Sequence, residues 1–460
     1  MSRPIDRPDS LWFASALLPG GWADGVRIRI AGGRIDQVQT QTTRAPGDEH
    51  YAVGIAGAGN VHSHAFQRGI AGLSEHRRGS GSFWSWRDAM YGFVQQLRPE
   101  QFEAIAAQAY VEMLESGMTR VGEFHYLHHA ADGVAYANVA EHAERLCAAA
   151  SDTGIGLTLL PVLYSCGGVG GQPATESQRR FVNSTDSFAH LLQASKRAVA
   201  SLDFGVLGIA AHSLRAVTPQ QLRALESMLP AAPLHIHIAE QQDEVRQWQA
   251  FAHCRPVEWL LDNATVDARW CLVHATHLSP TEIPRLAASG ATVGICPVTE
   301  ANLGDGLFPA RDYLALQGRF GIGTDSNVLV DFAEELRLLE YGQRLIHRER
   351  NVLHGLQGRS TGYTLFAGAL DGGSRVLGER TGQLAKGYVA DIVALSDTHP
   401  SMRERHGDSI LDSWIFAGAP AVNCVWSAGR RVVTEGRHHA RERIAARFSD
   451  TLRDVLGPLG

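Results

Sequence analysis

Between about residues 54 and 377 this chain alternates short apolar, β-branched runs with helix-like stretches. The strand-like runs end near His64, Tyr126, Tyr164, Ser213, Glu240, His277, Thr299 and Ser326. Helical patterns fall among them at 99–116, 134–153, 187–200, 219–228, 241–251, 280–288 and 332–348. Two parallel strands need a crossover of a dozen or more residues, usually a helix. The alternation therefore predicts a parallel sheet, and about eight such units favour closure into a (β/α)8 TIM-like barrel over an open sheet.

The two ends of the chain read as β structure. Val26-Arg27-Ile28-Arg29-Ile30 alternates with period two and leads to the turn residues Gly32-Gly33. Apolar runs at 389–395 and 422–426, then Ala428-Gly429-Arg430-Arg431-Val432-Val433, repeat the pattern late in the chain. These segments predict a small flanking β-sandwich-like domain from residues 1–54 and 378–440. The barrel then occupies 55–377, and a helix closes the chain at 441–460. His438 and His439 read as surface residues of that tail.

Four of the strand-like runs end in metal-ligating or acid/base side chains: His62-Ser63-His64, His237-Ile238-Ala239-Glu240, His274 and Asp325. Residues i and i+2 of a strand share a face, so His62 and His64 can reach one ion together. His237 and Asp325 complete an N/N/N/O donor set for a single divalent metal, which suits Zn2+ and also fits Fe2+. Glu240 and His274 remain as acid/base groups. Histidine is abundant here, 21 of 460 residues, so one His-x-His pair could be chance. The ordered series makes chance a poor account, because in such barrels the chemistry sits at the C-terminal ends of strands.

Composition narrows the partners. A net charge of −6 argues against nucleic acid. No run approaches the ~20 apolar residues of a membrane span, and Met1-Ser2-Arg3-Pro4-Ile5-Asp6 has no apolar signal core. The six cysteines are scattered without a Cys-x-x-Cys pair, as expected of reduced thiols in a cytoplasmic protein. Cys296 ends a strand-like run and is expected near the site without a catalytic role. His235, His128 and His129 read as packed or supporting residues, and His76-Arg77-Arg78 as a solvated cluster.

These features resemble the amidohydrolase superfamily over nearly the full length. Gly382-Gln383-Leu384-Ala385-Lys386-Gly387-Tyr388-Val389-Ala390-Asp391 matches its segment at the return to the β domain. With no evident bridging lysine, His237-x-x-Glu240 resembles the mononuclear deaminase branch. Further motifs resemble the formimidoylglutamate deiminase family: Asn60-Val61-His62-Ser63-His64-Ala65-Phe66-Gln67-Arg68, Phe83-Trp84-Ser85-Trp86-Arg87, His125-Tyr126-Leu127-His128-His129, Ala211-His212-Ser213-Leu214-Arg215 and Cys296-Pro297-Val298-Thr299-Glu300-Ala301-Asn302. One departure is the run Gly54-Ile55-Ala56-Gly57-Ala58-Gly59, where a proline-rich approach is the family expectation.

The resemblance implies hydrolysis of N-formimidoyl-L-glutamate to N-formyl-L-glutamate and ammonia by metal-activated water, in histidine degradation. Asp325 would accept the water proton, His274 orient the nucleophile, and Glu240 protonate the leaving nitrogen. A metal-bound carboxylate is a weak base, so the division of proton transfers between Asp325 and Glu240 stays open. The small dicarboxylate substrate calls for fixed cations, and arginine pairs well with carboxylates. Arg87 and Arg215 are the candidates, with Gln67, Tyr126 and His212 as further hydrogen-bonding residues. Trp84 and Trp86 read as lid or core packing, and 76–98 as a segment able to close over substrate. Relatives imply a homodimer. The alternatives are a deaminase of a purine, pyrimidine or triazine ring on the same metal site, against which the paired arginines argue; a ring-opening imidazolonepropionase; and a silent barrel used for interaction, against which the complete ligand set argues.

Overall fold

The computed structural model describes residues 9–73, 75, 83–355, 358–418 and 420–457. His76, Arg77 and Arg78, the start of the 76–98 segment and the side chain of Trp84 lie outside the described residues. The chain opens with β1 (Ser10–Leu18), β2 (Gly21–Ala31), β3 (Arg34–Gln39) and β4 (Glu49–Ala56). Gly32 and Gly33, at φ +57° and +77°, make the β2–β3 hairpin that the sequence predicts. Burial alternates along β2, with Val26 and Ile28 inward and Arg27 half-buried toward Asp48 at 2.8 Å.

The chain then enters the barrel through one residue, Gly57, whose N–H donates to the Asp391 carbonyl. A Cβ at Gly57 would collide with the Thr119 side chain, and one at Gly59 would meet Leu377. The glycines that stand in place of a proline-rich approach thus let the first barrel strand lie against its neighbours. That strand is β5 (Ala58–Ser63). It is followed by β6 (Met118–His125), β7 (Gly156–Leu163), the short β8 (Val206–Leu207), β9 (Ile209–Ser213), β10 (Leu234–Ile238), β11 (Trp270–His274), β12 (Thr292–Ile295) and β13 (Arg319–Ile322). Among the described residues, β5-β6-β7-β9-β10-β11-β12-β13 pair in parallel and β13 returns to β5, so the barrel is closed. The expected strand end near Thr299 falls earlier, at Ile295. Pro297 starts a helix there, Pro297–Leu303, because proline fits a first helical turn and not a central strand.

After the barrel, β14 (Ile392–Leu395), β15 (Val422–Ser427), β16 (Arg430–Thr434) and β17 (Arg437–His438) join the first four strands. The hydrogen-bonded order is β17-β16-β15-β14-β4-β1-β2-β3, so both chain ends build one sheet. Asp391 anchors the return: its buried carboxylate accepts the Ala428 N–H at 2.9 Å.

Helices cover the barrel. Pro99–Glu115 starts on proline and buries Phe102, Ile105, Ala106, Ala109, Tyr110 and Met113, spaced for one face. The terminal helix Arg441–Leu456 lies over it, with Arg447 to Glu103 at 2.8 Å and Arg98 to Asp454 at 2.6 Å. The expected helix over 134–153 forms only as Glu141–Thr153. Helix Thr361–Val376, not anticipated from the sequence, packs on β13 and ends under the barrel. Val376 packs inside with Val61, Cys271, Val273 and Cys296, and its carbonyl accepts from His235 Nε2 at 2.9 Å. The structure corrects one tail reading: His438 is buried. Its Nε2–H donates to the Thr153 carbonyl at 2.8 Å and its Nδ1 accepts from Ala440 N–H at 3.1 Å.

Two outcomes follow from this packing. A Cβ at Gly372 would collide with the Phe320 carbonyl, which cannot move without disturbing β13. Gly372→Ala should lower unfolding stability by about 1–3 kcal/mol, the usual overpacking range, in a denaturant titration; a loss below ~0.5 kcal/mol would mean the helix stands off the strand. Burial holds the His438 imidazole at about 4. The folded state therefore keeps it neutral while the unfolded chain protonates near 6.5, so its contribution is complete above about pH 6.5 and declines toward pH 4. His438→Gln should flatten the fall of stability with acid across that window relative to the parent.

Candidate metal centre and substrate cavity

The C-terminal ends of β5, β10 and the segment after β13 bring His62, His64, His237 and Asp325 to one point. One ligand atom from each lies within 4.8 Å of the others, and all four side chains are buried. His62 Nε2 stands 3.2 Å from His64 Nε2 and 3.0 Å from His237 Nε2. Asp325 Oδ1 lies 3.4 Å from His62 Nε2 and 3.3 Å from His64 Nε2. The tautomers are set from outside: His64 Nδ1 donates to the Phe124 carbonyl at 3.0 Å and His237 Nδ1 to the His212 carbonyl at 2.9 Å. Their Nε2 lone pairs therefore face inward. Burial, then neighbouring imidazoles, push His62 and His237 well below the usual histidine range, so they stay neutral. The inward lone pairs of His64 and His237, with His62 Nε2 and a carboxylate oxygen beside them, form a donor set that fits a divalent cation.

The ligands are held by groups the sequence did not single out. The Phe124 ring packs on all three imidazoles, at 4.9, 5.4 and 4.4 Å between centroids. Asn60 Nδ2 donates to Thr324 Oγ1 at 2.7 Å, and Thr324 Oγ1 to Asn327 Oδ1 at 2.6 Å. Asn327 Nδ2 then reaches Ser63 Oγ and the His64 and Asp325 carbonyls, tying the β5 and β13 ends together. Ala239, His274, Ala275, Asp325 and Asn327 all have φ between +44° and +68°. Left-handed backbone costs a non-glycine residue about 1–2 kcal/mol, and here it turns the chain as it leaves three strands.

Beside the donors lie His274 and Glu240. His274 Nε2 is 3.7 Å from Asp325 Oδ2 and 3.9 Å from Glu240 Oε1, close to both carboxylates but beyond direct hydrogen-bond length. Burial lowers the His274 imidazole, but Glu240, a hydrogen bond to Glu300 and Asp325 outweigh it and raise it to about 10. Glu300 Oε1 accepts from both His274 Nδ1 (3.1 Å) and Cys296 N–H (3.0 Å), which explains the Thr299-Glu300 segment. The Cys296 thiol lies beside them and burial pushes it well up, so it is no nucleophile. Burial likewise raises Glu240 to about 7, against the pull of His274 and Arg215. Glu244 aims that carboxyl by accepting the N–H groups of Ala239 and Glu240 at 3.2 and 3.1 Å.

A cavity of about 260 Å3 opens above these groups. Each predicted substrate residue lines it: Gln67, Arg87, Tyr126, His212 and Arg215. Arg215 Nη2 is 3.8 Å from Glu240 Oε2, and Arg87 lies over the Tyr91 ring at 5.4 Å. Gln67 Nε2 donates to Tyr126 Oη at 3.0 Å. Trp86, read as lid or core packing, also lines the cavity, together with Tyr91 and Tyr164, which sequence reasoning missed. His128 and His129 bond the Val162 and Val182 carbonyls and stay out of the site. Among the described residues no helix is long and apolar enough to cross a membrane.

Comparison with known proteins agrees with this geometry. Residues 54–432 match the Amidohydrolase family, and residues 12–52 match "Formimidoylglutamate deiminase HutF, N-terminal domain". A formimidoylglutamate deiminase of Pseudomonas aeruginosa is 49% identical over 97% of this chain and 99% of its own length. The crystal structure of an amidohydrolase from Brucella melitensis superposes with a TM-score of 0.93 at 50% identity, covering 97% of this chain and 99% of that one. An adenosine deaminase from Xanthomonas campestris with bound zinc shares the fold at a TM-score of 0.80 and 19% identity, over 97% of this chain and 98% of its own. With its ligand series, closed barrel and full-length matches, this chain belongs to the amidohydrolase family, in the formimidoylglutamate deiminase branch.

Proposed function

We propose that the chain hydrolyses N-formimidoyl-L-glutamate to N-formyl-L-glutamate and ammonia, a step in histidine degradation. The observation that carries this reading is one cavity with the His/His/His/Asp donor set at its floor and Arg87 and Arg215 on its wall. A substrate with an amidine at one end and two carboxylates needs both. His62, His64, His237 and Asp325 would hold a divalent ion, which when bound would make water nucleophilic near neutral pH; Zn2+ suits the donor set best, with Fe2+ the alternative. Asp325 takes the proton of the attacking water as its oxygen bonds to the formimidoyl carbon. His274, in the gap between Asp325 and Glu240, directs that oxygen by hydrogen bonding. Glu240, its affinity for a proton raised by burial, protonates the imino nitrogen; it then takes the hydroxyl proton of the tetrahedral carbon and passes it to the same nitrogen as the carbonyl forms, the carbon–nitrogen bond breaks and ammonia leaves, and the proton held by Asp325 restores Glu240.

Arg215 and Arg87 hold the carboxylates, with His212 and Tyr126 as neutral donors. Burial keeps His212 uncharged and the Tyr126 phenol protonated, so both can donate. Gln67 leaves its buried Oε1 without a hydrogen-bond partner beside Tyr126, placed to accept from the formimidoyl N–H. In this reading residues 55–377 carry the chemistry and the two chain ends support it. The enzyme is cytoplasmic and a homodimer. Paired arginines favour a dicarboxylate over the heteroaromatic rings of related deaminases.

Ammonia release tests the reading directly. Enzyme carrying about one metal per chain should release ammonia from N-formimidoyl-L-glutamate and not from guanine or cytosine; the reverse pattern would overturn the substrate assignment. Arg215→Met should lower kcat/KM roughly ten- to hundredfold, one charge-assisted contact, with metal content intact. Glu240→Gln should keep the metal and lower kcat by about 100-fold or more; near-parental turnover would move the acid role elsewhere.

A further inference from the structure

Tyr91 and Tyr164 lie together on the cavity wall beside Arg87 and Arg215, and both face the buried amide of Gln178. Gln178 belongs to the one-turn helix Glu176–Gln178 and is 2% exposed. Its Oε1 accepts the Thr175 N–H at 2.8 Å and the Thr175 hydroxyl at 3.1 Å. A backbone N–H can only donate, so the amide is fixed with Nε2 toward the tyrosines. Nε2 donates to Tyr164 Oη at 2.6 Å and lies 3.5 Å from Tyr91 Oη.

Counting protons gives the consequence. Each phenol oxygen receives a donor from Gln178, so neither phenol proton can point back at the amide. At most one of the two can lie between the oxygens. At least one O–H is therefore left for another acceptor, and both tyrosines line a cavity that also holds two guanidinium groups. We propose that the Tyr91–Tyr164 pair, keyed as a donor by Gln178, binds one carboxylate of the substrate together with Arg87 or Arg215 and so sets the preference for a dicarboxylate. This assignment rests on the deiminase reading for the identity of the substrate, but not for the anion preference itself. Burial supports it by keeping the Tyr164 phenol protonated, well above the usual range. Gln178 is a positioning residue; the two hydroxyls make the contact.

The test uses glutarate as a binding probe and three substrates: N-formimidoyl-L-glutamate and the formimidoyl derivatives of 4-aminobutanoate and 2-aminobutanoate, each lacking one carboxylate. The variants are Tyr164→Phe, Tyr91→Phe, their double variant and Gln178→Glu. Gln178→Glu keeps an acceptor for Thr175 but replaces the amide donor by a second acceptor, which turns the phenol protons away from the cavity. The double variant and Gln178→Glu should weaken glutarate binding about five- to tenfold or more at unchanged metal content. They should raise KM for N-formimidoyl-L-glutamate by more than they lower kcat. The penalty should shrink on the one analogue that lacks the carboxylate held by the pair. Glutarate binding within twofold of the parent in the tyrosine double variant would overturn the proposal, and so would an equal penalty on all three substrates. If Gln178→Glu does not fold, the tyrosine variants decide alone. A parent that binds glutarate through the pair yet releases no ammonia would sink the deiminase reading and leave the pair standing.

Discussion

Everything in this molecule bears on keeping three imidazole nitrogens and one carboxylate oxygen within 4.8 Å of one another in a dry site. Lone pairs that converge this closely repel unless a cation lies among them, so the protein must hold them apart from water and in register beforehand. It does so from the second layer outward. Backbone carbonyls of Phe124 and His212 fix two tautomers, and the Phe124 ring braces all three imidazoles. The Asn60–Thr324–Asn327 chain of hydrogen bonds locks the first barrel strand to the last. The left-handed residues at Ala239, His274 and Asp325 are the cost of aiming side chains inward as the chain leaves each strand.

The same burial that surrounds the candidate metal donors also shifts the proton affinities of the groups beside them. A low-dielectric site disfavours an isolated charge, which raises Glu240 and holds the phenols of Tyr126 and Tyr164 protonated. His274 runs the other way because three carboxylates surround it. Across the cavity, Arg215 stays charged, since Glu244 and Glu240 offset the penalty of its burial. The result is a polarised cavity about 260 Å3 in volume, metal donors and carboxylates at the floor and guanidinium groups on the wall. A substrate that is cationic or proton-accepting at one end and anionic at the other matches that gradient.

Much of this was legible in the sequence, for a local reason. The period-two runs and helical stretches report which face of each element is buried, and a parallel barrel places every strand end on one rim. His62 and His64, His237, His274 and Asp325 could therefore be assigned to one site without knowing any distance. Gln67, Arg87, Tyr126, His212 and Arg215 came from motif resemblance, and the fold brings all of them to the cavity. The readings that failed depended on contacts remote in the chain. His438 looked like a tail residue because nothing local says that Thr153 lies beneath it. Helix Thr361–Val376 carries paired glycines that weaken its helical signal; Gly372 is needed because β13 passes so close, and Gly373 lies against Gly59 of β5.

The sequence by itself determined the barrel, the paired ends and the chemical identity of the candidate metal-binding side chains, because periodicity and residue type are properties of short segments. Only the tertiary structure decided which groups would govern those ligands. Glu300 under His274, Glu244 under Glu240, Phe124 across the imidazoles and Gln178 behind two tyrosines all act across strands or loops. Hydrogen-bond partners, tautomers and proton affinities are set by what a side chain meets in space, and the register of a closed barrel settles that only once all its strands are in place.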